Sequence, residues 1–240
     1  TLNYASAELS KVEELRRELI ANVSHDLRTP LTMISAYAEG MRDLPGENNA
    51  ENAQIIIDEA RRLATLVNDL LDLSKLQSGS QEIQREKFNF TESVRSIITR
   101  YAKLTKNRGF SIDFQYDRTA YVCGDELRIS QVIYNIVGNA VNYTGEDKKV
   151  FVRQSCDGGE VLLEVTDTGE GIPEEELPYV FERYYRSKKT HKRAEVGTGI
   201  GLSIAKEVLL MHGARYGVRS TVGGGSTFWF ALPREKKERK

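Results

Sequence analysis

The sequence predicts an α+β protein: a helical hairpin that forms a four-helix bundle with a second copy, followed by a two-layer α/β sandwich. Two observations predict this class. Apolar residues recur at spacings of three and four through residues 1–79, which is typical of long amphipathic helices. In residues 80–233 short strands are mixed with helices, and this grouping favours a two-layer sandwich over a parallel doubly wound sheet. Residues 234–240 are a charged run that we expect to be solvated and disordered.

The composition is that of an ordinary globular chain. Its 240 residues are 40% hydrophobic and 29% charged, and 34 Lys and Arg nearly balance 35 Asp and Glu, so nucleic acid is not expected as a partner. No apolar run approaches the roughly 18 residues of a spanning helix, and no signal peptide is present. Cys123 and Cys156 lack metal-ligand spacing, which predicts buried thiols in a reducing, cytosolic setting. Because the chain opens at Thr1 inside a helical pattern, we expect a further N-terminal part.

The N-terminal hairpin is predicted from two periodic segments and the breaker between them. The first helix extends from about Ala7 to Asp43, and the second ends near Gly79. The breaker, Leu44-Pro45-Gly46-Glu47-Asn48, predicts a short connection. One partner helix cannot bury the whole apolar stripe, so we expect two chains to form the bundle. The alternative is a helical linker inside a monomer.

Residues 80–233 alternate between strand and helix patterns. Thr91 and Asp125 are placed to cap helices that extend to about residues 106 and 143. Asp157-Gly158-Gly159 separates two alternating runs and indicates a β-hairpin. A short helix is predicted from Pro173. The predicted strands cover residues 88–90, 110–116, 120–123, 148–156, 160–167, 216–220 and 226–232, and a last helix covers residues 200–211.

Three amides share one face of the helix that follows Asp125. Asn135, Asn139 and Asn142 are separated by four and three residues, which returns them to the same side of a helix. Asn is a middling helix former, so three in one helix are unusual. An amide oxygen can bind Mg²⁺, which prefers hard oxygen ligands and takes most of them from phosphate and water. The alternative is a solvated polar face.

Residues 167–173 read Asp-Thr-Gly-Glu-Gly-Ile-Pro and follow a strand pattern. A carboxylate at a strand end, here Asp167, can accept a hydrogen bond from an adenine amino group, while Gly169 and Gly171 let bare backbone approach a nucleotide. Guanine presents an acceptor at that position, so such a site selects ATP. The alternative is a tight turn.

A glycine-rich segment, Gly197-Thr198-Gly199-Ile200-Gly201-Leu202, opens the last helix. Free backbone N–H groups and the helix dipole make such a position suitable for phosphates. It is neither a Walker loop nor a good Rossmann fingerprint. A long basic loop precedes it, and a loop of this kind beside a phosphate site is typical of a lid, although solvent exposure would also explain each cation. Its cationic residues are Arg186, Lys188, Lys189, His191, Lys192 and Arg193.

His25 lies in the middle of the first helix, within the segment Asn22 to Thr32. Histidine side chains titrate at about pH 6.5, so a neutral imidazole is available as a nucleophile. Thr29 shares the face of His25, whereas Asp26 is rotated away from it and reaches the imidazole only if its rotamer allows. Pro30 should kink the helix one turn beyond the histidine. The alternative is a polar surface residue.

Taken together and in this order, the segments resemble the cytoplasmic core of a bacterial sensor histidine kinase, from about Leu15 to Pro233. The resemblance implies a dimerisation and phosphotransfer hairpin followed by an ATP-binding domain of the fold shared with gyrases and heat-shock chaperones. Five motifs carry it: the segment around His25, Asn135 to Thr144, Asp167 to Pro173, Phe181 to Arg186, and Gly197 to Leu202. Asn142 departs from the Lys that is common in the family, and His212-Gly213-Ala214 departs from His-Gly-Gly.

The resemblance also implies residue roles. His25 is the phosphoacceptor, Asp26 its acid/base partner, and Thr29 serves dephosphorylation of the partner. Asn139 is the Mg²⁺ ligand. The implied nucleotide-binding residues are Asn135 on the phosphate side, Asn139, Tyr143 as a wall, Asp167 as the adenine reader, Gly169, Gly171, Arg186, Lys189, Gly197, Thr198, Gly199, Gly201 and Leu202.

The function implied is autophosphorylation of His25 by Mg-ATP, transfer to an aspartate of a response-regulator receiver domain, and dephosphorylation of that regulator. The full-length protein is expected in the bacterial membrane with this part in the cytoplasm. Two alternatives remain: an ATPase of the gyrase or chaperone type without phosphohistidine, and a non-catalytic dimeric scaffold.

Overall fold

The structure is a computed structural model that describes residues 2–78, 82–183, 185 and 199–235, with side chains from residue 21 onward. The chain divides into two compact units, Thr1–Asp72 and Leu73–Lys240. The last turn of the second helix therefore belongs with the second unit, a few residues before the boundary at residue 79 that the sequence predicts. Each unit is described by itself below.

The first unit is the predicted helical hairpin. Helix α1 covers Leu2–Asp43 and helix α2 covers Ala50–Gln77. Asn49 caps α2, because its Oδ1 accepts a hydrogen bond from the backbone N–H of Asn52 at 2.9 Å. Leu66 is buried in the hairpin, yet several large apolar side chains remain exposed. These are Leu31, Met33, Ile57, Val67 and Leu71.

The second unit contains a mixed sheet with helices, in agreement with the predicted α+β sandwich. The strands are β1 Glu86–Asn89, β2 Ser111–Tyr116, β3 Tyr121–Gly124, β4 Lys149–Asp157, β5 Glu160–Asp167, β6 Arg215–Ser220 and β7 Ser226–Glu235. The helices are α3 Phe90–Thr105, α4 Glu126–Tyr143 and α5 Gly201–Met211, with short 3-10 turns at Lys106–Arg108 and Glu174–Tyr179. The sheet order is β1-β3-β7-β5-β4-β2, with β6 also paired to β7.

One face of the sheet forms the core. Along β5 every second residue is buried, and Val161, Leu163 and Val165 are each at most 1% exposed. Phe90 of α3 meets Phe230 of β7 edge to face, with ring centroids 6.0 Å apart. The core therefore lies between the sheet and its helices.

His212 joins the end of α5 to the start of α4. Its ring is 7% exposed; Nδ1 lies 2.7 Å from the Val208 carbonyl oxygen, and Nε2 is 3.0 Å from the backbone nitrogen of Asp125. The Asp125 N–H can only donate, so Nε2 carries the lone pair and the ring is neutral. Burial lowers the pKa of His212 and nearby Arg85 lowers it further, although the Val208 carbonyl and Asp125 oppose this.

Most predicted boundaries agree with the structure within two residues, but the start of α3 is a correction. Phe90, predicted as the end of a strand, already belongs to the helix. Asn89 rather than Thr91 is the cap, since the Asn89 side chain accepts from Glu92 N. Thr91 is 1% exposed, and its hydroxyl accepts the Ala120 N–H at 2.8 Å instead. Asn and Thr can both cap a helix, but the Thr91 hydroxyl is used by Ala120, so Asn89 is the cap.

Two further predictions are wrong. Cys123 is exposed and Cys156 only half-buried, because alternation along β3 turns Cys123 away from the core while Val122 faces it. Arg234 and Glu235, predicted to belong to a disordered charged tail, instead extend β7 and pair with β3, while residues 236–240 lie outside the described residues. Among the residues that the structure describes, no helix is both long and apolar enough to cross a membrane.

Candidate functional site: a nucleotide pocket and an exposed histidine

His25 presents its imidazole to solvent from α1, with 77% of the side chain exposed. Its Nδ1 lies 3.5 Å from Oδ1 of Asp26, whose own side chain is only 16% exposed. The rotamer of Asp26 therefore brings its carboxylate near the imidazole, which is the condition expected from the sequence for contact between the two side chains. Because Asp26 is the neighbour of Nδ1, the opposite ring nitrogen, Nε2, is the one left for chemistry.

The residues one turn beyond His25 modify the helix backbone. Thr29 Oγ1 donates to the carbonyl oxygen of His25 at 3.2 Å. Pro30 has no N–H and is buried, yet the helix is assigned continuously through it. The sequence places Thr29 on the same side as His25, and the structure gives both residues exposed positions. The kink itself stays a prediction.

Helix α4 positions two of the predicted amides. Asp125 caps the helix by accepting the N–H of Arg128 at 3.1 Å, as the sequence predicts. Asn135 Nδ2 donates to the Gly201 carbonyl oxygen at 2.9 Å, which ties α4 to the first residue of α5. Asn139 is half-buried one turn later and has no hydrogen-bond partner among the described residues. A half-buried amide without a protein partner fits a Mg²⁺ ligand.

Asp167 ends β5 and is 3% exposed. Its Oδ1 accepts backbone N–H groups of Gly169 at 2.9 Å and Ser226 at 3.3 Å. Burial raises the pKa of Asp167, and these backbone donors partly offset the rise. A buried carboxylate that is fixed by two backbone donors is a rigid acceptor, which is what reading an exocyclic amino group requires.

The backbone around Gly169 and Gly171 is too crowded for side chains. A Cβ at Gly169 would lie 2.0 Å from the Tyr143 carbonyl oxygen, and one at Gly171 would lie 2.0 Å from that of Thr221. Gly171 also has a φ of +72°, which L side chains rarely adopt. The loop after β5 is thus wedged between the end of α4 and the turn after β6, so Tyr143 and Asp167 are neighbours.

Sequence reasoning missed a polar clasp that joins the same two elements. Thr144, directly after α4, donates through Oγ1 to the Lys149 carbonyl oxygen at 2.6 Å and lies 2.9 Å from Thr168 Oγ1. Thr168 in turn donates to Asp147, which lowers the pKa of that carboxyl. The sequence did offer one indication of this contact, because Thr144 ends one predicted motif and Thr168 directly follows Asp167 in another.

The second glycine segment is only partly described. Gly199 has a φ of +67°, Ile200 is fully buried, and α5 starts at Gly201, so this segment does open a helix as predicted. Leu202 is half-buried in the first turn. Arg186, Lys189, Gly197 and Thr198, which were predicted to contact the nucleotide, lie outside the described residues.

The geometry brings together three predicted segments: α4 from Asn135 to Tyr143, the loop after Asp167, and the start of α5. Comparison with known proteins agrees with this arrangement. Residues 124–236 match the family model for a histidine kinase-, DNA gyrase B- and HSP90-like ATPase. Residues 15–79 match the model for the His Kinase A phospho-acceptor domain.

The chain belongs to the histidine kinase family. The sensor histidine kinase WalK of Bacillus subtilis (strain 168) is 37% identical over 240 residues, which covers 98% of this chain and 39% of that protein. The sensor protein kinase WalK of Staphylococcus aureus (strain MRSA252) is 35% identical over 233 residues, with 95% and 38% covered. This histidine kinase chain therefore spans well under half the length of these relatives.

Solved structures show the same fold. The histidine kinase AdeS of Acinetobacter baumannii superposes with a TM-score of 0.73 at 20% identity, covering 88% of this chain and 98% of that one. Histidine kinase ThkA, solved in complex with the response regulator protein TrrA, gives a TM-score of 0.71 at 27% identity, with 95% and 67% covered.

Proposed function

We propose that the chain transfers the γ-phosphoryl group of ATP to His25 and then to an aspartate on a response-regulator receiver domain. The observation that carries the proposal is the joint presence of a rigid, buried adenine reader, Asp167, and an exposed imidazole beside a carboxylate, His25 with Asp26. Each half has an ordinary structural explanation alone. Phosphotransfer from ATP to a histidine is the activity that uses both the Asp167 site and the exposed His25.

On the acceptor side, the lone pair of His25 Nε2 attacks the γ-phosphorus. The bond between that phosphorus and the β,γ-bridging oxygen breaks, and its electron pair leaves with ADP. Asp26, 3.5 Å from Nδ1, accepts or holds the Nδ1 proton, so the imidazole does not accumulate positive charge as the P–N bond forms. Positioning and electrostatics dominate such a transfer.

On the donor side, the Asp167 carboxylate accepts a hydrogen bond from the adenine amino group, and Tyr143, which is 39% exposed, forms a wall of the pocket. Asn139 would hold Mg²⁺ through its amide oxygen, and the ion would supply neutralising charge at the phosphates. Asn135 keeps the start of α5 against α4 through Gly201. The glycines at 169 and 171 keep the loop backbone close to the base.

The partners follow from the same proposal. The exposed apolar residues of the hairpin, such as Leu31, Ile57 and Leu71, would be buried by a second copy in a four-helix bundle. A receiver domain would dock at the exposed His25 and carry the accepting aspartate. The longer protein would reside in the bacterial membrane with this part facing the cytoplasm, as the resemblance to sensor histidine kinases implies.

The test is incubation with Mg-ATP labelled at the γ-phosphate. The wild-type chain should acquire label that is acid-labile and alkali-stable, as a phosphoramidate is, and His25→Gln should acquire none. Label that persists in His25→Gln would overturn the proposal. Steady phosphate release without labelled protein would favour an ATPase of the gyrase or chaperone type, and failure to bind ATP would favour a non-catalytic dimeric scaffold.

A second activity, dephosphorylation of the regulator, is supported by Thr29. Its hydroxyl lies one turn from His25 on the same exposed face, where it can orient a water at a docked phosphoaspartate. Thr29→Ala should slow regulator dephosphorylation while His25 labelling is retained. Thr32→Ala, an exposed threonine on the same helix, is the matched control. An unchanged dephosphorylation rate in Thr29→Ala rejects this role.

A further inference from the structure

Strand β2 is an open edge of the sheet. It pairs in parallel with β4 on one side only. The backbone N–H of Ser111 donates to Lys148 and that of Asp117 to Gln154, so the odd-numbered residues bond to the sheet. Because strand hydrogen bonds alternate, Ile112, Phe114 and Tyr116 present their N–H and C=O groups outward. Among the described residues these outward groups have no backbone partner.

A groove runs alongside this edge. It has a volume of about 460 Å³ and lies between β2 and one face of α3. Its apolar floor comes from Ile98 and Ala102 of α3 with Ile112 and Phe114 of β2. The Phe114 and Tyr116 rings stack at 5.5 Å between centroids, which gives the groove a flat aromatic end. An extended segment paired with β2 would place alternate side chains into this groove.

The charges along the groove have one sign. Arg95, Lys103 and Lys106 line it and no carboxylate does. Arg95 is already engaged, since it contacts Glu92 at 2.7 Å and donates to the Tyr116 hydroxyl at 2.6 Å. Lys103 and Lys106 are exposed and have no ion-pair partner among the described residues. The groove therefore offers two uncompensated cations next to unpaired strand groups.

We propose that this groove binds an extended acidic segment of a partner protein, which adds to β2 as a further strand. The cations select acidic side chains, and the outward backbone groups select an extended backbone. A second copy of β2 is disfavoured, because antiparallel pairing would bring the Lys106 end of one groove against the Arg95 end of the other. Nucleic acid is disfavoured, because the edge of β2 presents N–H donors and C=O acceptors in alternation. A peptide strand matches both, whereas phosphate groups can only accept hydrogen bonds. The inference does not depend on the proposed phosphotransfer.

The test follows the backbone amides of the full chain by NMR while a short, blocked peptide of alternating Glu and Val is added. We expect shift changes and slower hydrogen exchange at Ile112, Phe114 and Tyr116. A peptide of alternating Lys and Val should have no effect. Equal effects of both peptides, or no change at these three amides, would overturn the proposal. Single-stranded DNA that perturbs them more than the acidic peptide would also overturn it.

Two matched pairs of variants separate backbone pairing from charge. Ile112→Pro removes an outward N–H that the sheet does not use, whereas Ile112→Ala removes only the side chain. Peptide binding should be lost in the first and only weakened in the second. Lys103→Glu should weaken binding roughly threefold to tenfold, while Arg100→Glu, on the same helix outside the groove, should leave it unchanged. All four variants should unfold in denaturant close to the wild type, which shows that they fold. Equal binding within either pair contradicts the proposal.

Discussion

Asp167→Asn exchanges one oxygen of the adenine reader for an amide nitrogen and leaves its shape unchanged. The remaining amide oxygen can still accept the N–H groups of Gly169 and Ser226, which bond to Oδ1 in the native site. If Asp167 reads the base as proposed, the new NH₂ group would face the adenine amino group as donor against donor. We therefore expect the substitution to weaken ATP binding with little effect on folding.

The magnitude follows from the hydrogen bond that is lost. A hydrogen bond to a charged group contributes about 1.5–3 kcal/mol, so ADP affinity should fall by about tenfold to 150-fold. Asp167→Ala behaves differently, because it leaves two N–H groups unpaired at a position that is 3% exposed. At about 1–3 kcal/mol for each donor, it should lower the free energy of unfolding by about 2–6 kcal/mol.

The assay is titration calorimetry with ADP and with the inosine analogue IDP, whose base presents an acceptor where adenine has its amino group. In Asp167→Asn the preference for ADP over IDP should shrink or reverse, while denaturant unfolding stays close to wild type. If Asp167→Asn binds ADP as tightly as the wild type, or loses both nucleotides equally, Asp167 does not read the base.

Three other predictions follow from the described contacts. Gly171 has a φ of +72°, and a Cβ there would clash with backbone, so Gly171→Ala should abolish nucleotide binding and destabilise the fold. The control is Gly158→Ala, where φ is +55° and the space is open, and which should lower the free energy of unfolding by only about 1–2 kcal/mol. Equal losses of stability in thermal melts of the two variants would contradict this. Thr168→Val removes the hydrogen bond to the Asp147 carboxylate and should weaken ATP binding about fivefold in calorimetry. Thr166→Val removes a hydrogen bond to Thr227 outside the site and should leave ATP binding unchanged. Equal effects of the two substitutions would show that the clasp does not position the loop. Folding lowers the pKa of His212, so this residue contributes to stability above its unfolded pKa of about 6.5, and the contribution is lost as pH falls through the folded pKa. Between about pH 7 and pH 5, the free energy of unfolding measured with denaturant should therefore fall more steeply for the wild type than for His212→Gln. Equal pH dependence in the two proteins would refute this.

The elements that sequence analysis predicted well are those with local causes. Asp125 caps α4 through a bond to a residue three positions later, and Asp157-Gly158-Gly159 forms the hairpin between β4 and β5 with a positive φ at both glycines. Such features depend on a few adjacent residues, so their spacing in the sequence is sufficient evidence.

The elements that it missed depend on residues far apart in the chain. Thr91 is a good capping residue by type, but its hydroxyl is used by Ala120 N, 29 positions later. Cys123 is small and apolar, yet the register of β3 with β1 exposes it. Arg234 lies in a charged run of the sequence, yet it pairs with Val122 of β3.

In the candidate site, too, features with local causes were predicted and features that depend on distant residues were missed. Glycine spacing and the acid at residue 167 predicted a tight, glycine-containing loop after a strand, and the structure has that loop; its contact with a nucleotide stays a prediction. The clasp between Thr144 and Thr168 required the end of α4 to meet the end of β5, which only the fold provides. The proximity of Asp26 to His25 required a rotamer, and helical spacing does not determine rotamers.

The most direct test of the central claim is to locate the phosphoryl group. After incubation with Mg-ATP at neutral pH, the chain is digested without acid and its peptides are sequenced by mass spectrometry. We expect one phosphoryl group on the peptide that contains His25, on the imidazole. At an ATP concentration below the dissociation constant of the wild type, Asp167→Asn should acquire it at an initial rate about tenfold or more lower. A phosphoryl group on any other residue, or an unmodified His25 in a chain that binds ATP, would contradict it.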